Sequence, residues 1–183
     1  MNTYLILKEY QEYIENLANT HSEEIFSNGG KDHASILMAT MLNHTKNRAR
    51  IFCEGFKADL IHTEPYFQAL KDYLGKGRRL SVLVENDKHT EEAPIQFLKK
   101  HKSENQDAEI ELKKIKEEDK KKIFNALNST HCNFAVFDDD KFRLEYIPEE
   151  YKAMGSFNQP EKCRKLTELF DAAFQNAETI SLV

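Results

Sequence analysis

Apolar residues recur every three or four positions near the start of the chain, which predicts an amphipathic helix over residues 3–17. The turn formers of residues 26–30 (FSNGG) mark the end of this region. Asp32 is placed to cap a second helix, whose apolar stripe continues to His44. Residues 48–55 (RARIFCEG) then follow as a strand.

Strands and helices alternate through the middle of the chain. The run LSVLV is almost wholly apolar, which is typical of a strand buried on both faces. Farther on, apolar residues alternate with charged ones, which predicts a half-exposed strand toward a sheet edge. The elements predicted here are a helix opened by Pro65, a strand at 80–84, a helix at 91–102, the half-exposed strand at 110–115 and a helix at 120–127.

The last third of the chain contains a hairpin pattern. Two apolar runs, residues 134–137 and 142–146, flank three aspartates and a lysine, and Pro160 opens a final helix. Because strands alternate with helices, right-handed crossovers are expected. We therefore predict one α/β domain over residues 1–183, with a central mixed, largely parallel sheet flanked by helices. Residues 1–25 would form its N-terminal helical extension.

Composition agrees with a globular protein, since 40% of the 183 residues are hydrophobic and 31% are charged. No apolar run approaches the roughly 20 residues that a membrane helix needs. Charges also interrupt the first apolar residues too early for a secretory signal. The sequence thus predicts a cytoplasmic protein without membrane contact.

Charge and cysteine content narrow the classes of partner. The net charge of −5 gives no overall attraction for a polyanion, and the lysines of residues 99–102 and 113–122 alternate with acidic residues, as on a solvated helix face. A nucleic-acid partner stays open because a groove can be basic while the whole protein is acidic.

The three cysteines are far apart and form no CxxC or CxxH pair, so neither disulfides nor a metal are expected. No cofactor is predicted.

Candidate chemistry concentrates around His131. In an extended strand, His131 and Asn133 point to the same face, which places an imidazole and an amide at one rim of the sheet. Asp138 follows five residues after Asn133, and the sequence Gly-Ser-Phe-Asn, with Ser156 and Asn158, comes later. If that segment forms a turn beside the same rim, its hydroxyl and amide would help to hold a phosphate, without a fixed cation.

These residues resemble the HxKxxxxD…GSxN signature of the phospholipase D superfamily, with Asn133 in the place of the lysine. The order of elements over residues 26–177 is similar to that family as well. The resemblance implies a phospholipase D-like fold and metal-independent phosphodiester chemistry, in which two such motifs, from one chain or from a homodimer, share one site. Carried over, the catalytic residues would be His131 as nucleophile or acid, Asn133 and the orienting Asp138. Ser156 and Asn158 would bind the substrate phosphate.

Two departures from the signature leave the function open. Asn133 removes a positive charge, and loss of one preorganised electrostatic contact typically costs about 10²- to 10³-fold in rate. The interval from Asp138 to Gly155 is also longer than in the family. An arginine from elsewhere in the chain, such as Arg143 or Arg50, could replace the missing charge.

Three functions therefore remain as hypotheses. The first is a catalytically impaired module that binds phosphate, nucleic acid or a protein partner. The alternative is an active nuclease that works as a homodimer through a phosphohistidine at His131. A part in bacterial antiphage defence is the third, suggested by the resemblance only. Ordinary structural roles also compete, because Asp138 fits a hairpin turn and Asn158 fits a helix cap.

Overall fold

One mixed sheet of eight strands organises the protein, whose computed structural model describes residues 3–183. The order of the strands across the sheet is β1-β7-β6-β5-β2-β3-β4-β8. Their bounds are β1 Phe26–Asn28, β2 Arg48–Cys53, β3 Arg79–Val84, β4 Ile110–Lys114, β5 Asn133–Phe137, β6 Lys141–Ile147, β7 Lys152–Ser156 and β8 Glu178–Thr179.

Seven α-helices and one 3-10 turn flank the sheet in the described chain. No helix among residues 3–183 is long and apolar enough to cross a membrane. The helices are α1 Thr3–Asn19, α2 Lys31–Asn43, α3 Ala58–Ile61, α4 Glu64–Gly75, α5 Ala93–Glu104, α6 Glu117–Ala126 and α7 Pro160–Asn176, and the 3-10 turn is Pro148–Glu150.

The sheet is mixed, as predicted, but its parallel part is smaller than expected. Only the β2–β3 and β3–β4 pairings are parallel, and the other five pairings between described strands are antiparallel. The predicted β5–β6 hairpin is present, and β7 continues it as a third antiparallel strand. The sequence did not indicate β7, because its residues KAMGS lack the β-branched and aromatic residues typical of strands.

Two segments expected to be turns are strands instead. Residues 26–28 form β1, and the Gly155-Ser156 pair belongs to β7. The two strands pair with each other, with Phe26 opposite Gly155. The backbone N–H and C=O groups of each strand therefore find partners on the other strand, which residues nearby in sequence do not provide. The predicted cap of α2 is also corrected: the N-cap is Gly30, no side chain caps the helix, and Asp32 lies in its first turn.

The two faces of the sheet bury different residues because side chains alternate along each strand. Ile51 and Phe137 join the core beneath α1, α2 and α4. Phe52 and Phe134 join a second core with α6 and α7. Asn133 alternates with Phe134, so its side chain lies on the first face, at the rim where β2 ends.

Gly155 is tightly enclosed, which gives a test of the β1–β7 packing. A Cβ on Gly155 would lie 2.9 Å from the Phe142 carbonyl oxygen and 3.2 Å from the Phe26 ring. We expect Gly155→Ala to lower the free energy of unfolding by about 1–3 kcal/mol, measured by urea denaturation. Gly75→Ala, at the end of α4 with no atom within 4 Å, is the control and should be neutral or slightly stabilising. Equal effects of the two substitutions would contradict this packing.

Candidate functional site

A cavity of about 320 Å³ opens where β2 ends and β5 begins. Because β2 and β3 are parallel, this rim is the carboxyl end of parallel strands, where α/β sheets usually bind ligands. One wall is apolar and is formed by Met38, Ile51 and Ile61. Polar residues also line the cavity, among them the predicted His131 and Asn133.

His131 lies between two carboxylates at this rim. Its Nδ1 is 2.9 Å from Glu149 Oε1, in the 3-10 turn, and its Nε2 is 3.8 Å from Glu85 Oε1, directly after β3. The imidazole side chain is 32% exposed, so a ligand in the cavity can reach it. The hydrogen bond between Nδ1 and Glu149 orients the imidazole ring.

Asn133 is held at both ends of its amide. Its Nδ2 donates to Glu145 Oε2 at 2.6 Å, and its Oδ1 accepts the backbone N–H of Glu54 at 3.1 Å. Glu145 also accepts a hydrogen bond of 2.7 Å from Arg143, and these two side chains are only 5% and 6% exposed. The half-buried Asn133 and the buried Arg143 thus both donate hydrogen bonds to the buried Glu145.

The cavity is lined by more negative than positive groups. Four carboxylates, those of Glu54, Asp59, Glu145 and Glu149, face two cations, Lys57 and Arg143. Both cations are already paired, Lys57 with Glu54 and Arg143 with Glu145. The hydrogen bond from Lys57 keeps the pKa of Glu54 below its usual value.

Nearby Glu85 has the opposite shift. Burial raises the pKa of this carboxyl group above its usual value, while Lys120 and His131 act to lower it.

Among residues 3–183, no group of three or more His, Cys, Asp or Glu side chains is arranged to hold a metal ion.

Asp138 lies at the opposite end of β5, in the turn to β6. Its carboxylate accepts the backbone N–H groups of Lys46, Asn47 and Arg48 at 2.9, 2.9 and 3.2 Å. Its own φ of 52° is left-handed, a conformation that aspartate tolerates better than most residues. Asp138 therefore joins the turn to the start of β2 and makes no contact with His131.

Ser156 and Asn158 lie away from the cavity as well. Ser156 is fully buried, its hydroxyl donates to the Ser22 carbonyl, and it accepts the N–H of Asn158. Ser156 pairs with Phe142, three residues along β6 from the Glu145 that pairs with Asn133. That separation is about 10 Å along the strand. The structure brings His131 and Asn133 together, but not with Asp138, Ser156 or Asn158.

The two candidate arginines also differ in position. Arg50 points to the opposite face of the sheet and pairs with Asp171 on α7 at 3.0 Å, so it does not line the cavity. Arg143 does line it, but Glu145 neutralises its charge.

Sequence reasoning missed the carboxylates of the site. Glu54 and Glu85 come directly after the parallel strands β2 and β3, and that position alone could have identified them. Glu145 and Glu149 became visible only when the hairpin register was known.

Solved structures with a similar chain path identify the architecture. Nuc from Salmonella typhimurium, a phospholipase D family member, matches with a TM-score of 0.60 and 14% identity, over 86% of this chain and 99% of its own. The chain has the phospholipase D fold. NucT from Helicobacter pylori matches with a TM-score of 0.56 and 12% identity, over 86% of this chain and 100% of its own.

A third similar structure is TrmBL2, an archaeal chromatin protein. It matches with a TM-score of 0.55 and 16% identity, over 94% of this chain and 62% of its own. No protein-family model and no curated protein matches the sequence. The fold is therefore established by structural likeness.

The contacts of Asp138 predict a pH-dependent contribution to stability. Burial acts to raise the pKa of Asp138, but the three N–H groups and Lys141 lower it below its usual value. A carboxyl group whose pKa is lower in the folded state stabilises the protein above its unfolded pKa of about 3.9. That stabilisation is lost as the pH falls through the folded pKa.

We therefore expect Asp138→Asn to lower the free energy of unfolding by about 1–3 kcal/mol at pH 7, and the difference from wild type to shrink below about pH 4. Guanidinium denaturation at both pH values measures this. Asp139→Asn, one residue along the same turn and exposed, is the matched control. If the two variants lose equal stability at pH 7, the assigned role of Asp138 is wrong.

Proposed function

We propose that this chain uses the phospholipase D fold as a binding module and does not hydrolyse phosphodiesters. The observation that carries this proposal is the 2.6 Å contact between Asn133 and Glu145. In the resembling signature, the position of Asn133 holds a lysine that contacts phosphoryl oxygens. Here that position holds a neutral amide, and a buried carboxylate occupies its donor group.

The charge of the cavity supports the same conclusion. A phosphodiester is an anion and would enter a space lined by four carboxylates and two cations that are already paired. Two like charges 4 Å apart repel by about 1 kcal/mol in water and about 4 kcal/mol at a protein-like dielectric constant of roughly 20. Transition-state stabilisation would need the opposite arrangement.

The lysine-rich stretches do not favour a nucleic-acid partner. Most of these lysines have an acceptor within the chain, which lowers the positive charge available to a polyanion. These lysine–carboxylate pairs are Lys99–Glu91, Lys100–Glu104, Lys114–Asp87, Lys120–Glu85 and Lys122–Asp119. The use of the fold for binding in general is supported by TrmBL2, which shares the fold and is described by its mode of DNA binding. We therefore favour a protein or small-molecule partner.

One contact favours the alternative, an active metal-independent nuclease. Glu149 holds His131 by Nδ1 at 2.9 Å, the arrangement in which a carboxylate orients a reactive imidazole. A second motif would have to come from another copy of the chain, so this alternative requires a homodimer, and a strictly monomeric protein would contradict it. A part in bacterial antiphage defence remains a prediction.

Hydrolysis of bis-p-nitrophenyl phosphate and of single- and double-stranded DNA, in EDTA, tests the proposal. We expect no turnover by the wild type or by His131→Ala. His101→Ala, a substitution of another half-buried histidine on α5, is the matched control. Activity that survives EDTA and His101→Ala but disappears in His131→Ala would establish the nuclease instead.

The role of Glu145 predicts how phosphate binding can be created. We expect Asn133→Lys alone to change little, because Glu145 would pair with the new lysine. The double variant Asn133→Lys, Glu145→Gln also frees Arg143, and its affinity for inorganic phosphate should exceed that of wild type by about tenfold or more. Isothermal titration calorimetry measures this after thermal unfolding has shown that both variants fold. Equal phosphate affinity of the single and double variants would mean that Glu145 is not the barrier.

A further inference from the structure

The inner end of the cavity contains a buried polar group that has no hydrogen-bond partner among residues 3–183. Tyr66 is 2% exposed, and its side chain lines the same end of the cavity. Arg143 is 5% exposed, and its Nε has no hydrogen-bond partner. Buried polar groups are normally satisfied, so the Nε of Arg143 indicates a place for a hydrogen-bond acceptor of a ligand or for water.

The mouth of the cavity carries a different chemistry. Asp59 is exposed on α3, and Glu149 is exposed on the 3-10 turn that faces it. Tyr151 connects the two sides, because its hydroxyl donates to Asp59 while its carbonyl accepts from Arg143. A positive group at this mouth would meet two carboxylates, which attract cations.

An apolar wall joins these two polar ends. Met38, Ile51 and Ile61 lie along it and are buried. The cavity of about 320 Å³ is near the lower end of the usual range for small-molecule sites, roughly 300–1,000 Å³. It suits a ligand of about ten non-hydrogen atoms with a polar group, an apolar body and a charged end.

We infer that the cavity binds a small organic cation, an amine with an apolar or aromatic body. Its ammonium group would lie between Asp59 and Glu149, its body against the apolar wall, and a hydroxyl or similar group near Tyr66 and Arg143. This inference rests on the proposed function, because a phosphodiester would occupy the same cavity. It also reverses the charge preference that the resemblance implies.

Three probes of similar size and different charge test the inference: tyramine, its neutral analogue tyrosol, and phenyl phosphate. Binding to the full chain is measured by nitrogen-15 chemical-shift titration and by calorimetry. We expect tyramine to bind about fivefold or more tightly than tyrosol, since one charge is removed, and phenyl phosphate not to bind at the same concentrations. The affinity for tyramine should also fall as salt is raised.

Two substitutions locate the site. Asp59→Asn keeps the acceptor for Tyr151 but removes a charge, and we expect it to weaken tyramine binding about threefold or more, with little effect on tyrosol. Asp72→Asn removes an exposed carboxylate on the outer side of α4, where its partner is Gln68, and should leave both affinities unchanged. Tyr66→Phe should weaken tyramine binding but not that of phenethylamine, which lacks the hydroxyl.

Three results would overturn the inference: no binding of tyramine, equal binding of tyramine and tyrosol, or preferred binding of phenyl phosphate. Equal effects of Asp59→Asn and Asp72→Asn would place the amine elsewhere and would also overturn it. The phosphodiester assay separates this failure from failure of the proposed function. Absent hydrolysis with absent tyramine binding rejects only the amine, whereas His131-dependent hydrolysis rejects the binding module.

Discussion

Three hydrogen bonds from backbone N–H groups to the Asp138 carboxylate fix the register of β5 against β2. The cavity at the other end of β5 depends on this register. The carboxylate binds residues 46–48 at the start of β2, and the N–H of Asp138 donates to the Arg48 carbonyl. Five residues back along β5, the same register brings Asn133 Oδ1 to the N–H of Glu54. A slip by one residue would turn Asn133 to the opposite face, so a contact remote from the cavity determines which side chains line it.

The buried pair of Arg143 and Glu145 then decides the chemistry of that cavity. Removing one partner of such a pair leaves an uncompensated buried charge, which typically costs 3–5 kcal/mol, so the two side chains constrain each other. Because Arg143 is committed to Glu145, it does not supply the charge that Asn133 lacks. The fold keeps the histidine with its orienting carboxylate, but it surrounds them with negative groups. Since one fold supports many functions, this local charge, rather than the likeness of the backbone, carries the functional argument.

The sequence alone predicted most elements whose pattern is local. The amphipathic α1, the buried β3, the helices opened by proline and the β5–β6 hairpin all follow from periodicity and turn residues within a short window. The expectation that His131 and Asn133 share one rim is confirmed, since both line the cavity, but the strand repeat does not explain it, because His131 lies before the first residue of β5. The resemblance to the superfamily signature predicted the phospholipase D-like fold, which the solved structures confirm.

Only the tertiary structure decided what joins these elements. β1 and β7 pair across more than a hundred residues, and each is too short and too polar to be recognised without its partner. The same pairing places Ser156 in a buried strand, although its sequence, Gly-Ser-Phe-Asn, suggested a phosphate-binding turn. The carboxylates of the cavity come from two stretches of the chain, residues 54–59 and 145–149, and no local pattern relates one stretch to the other. Sequence therefore determined the secondary-structure elements and the proximity of His131 to Asn133, because both depend on residues that are close along the chain. The charge of the site depends on strand register, which is set by contacts distant in sequence.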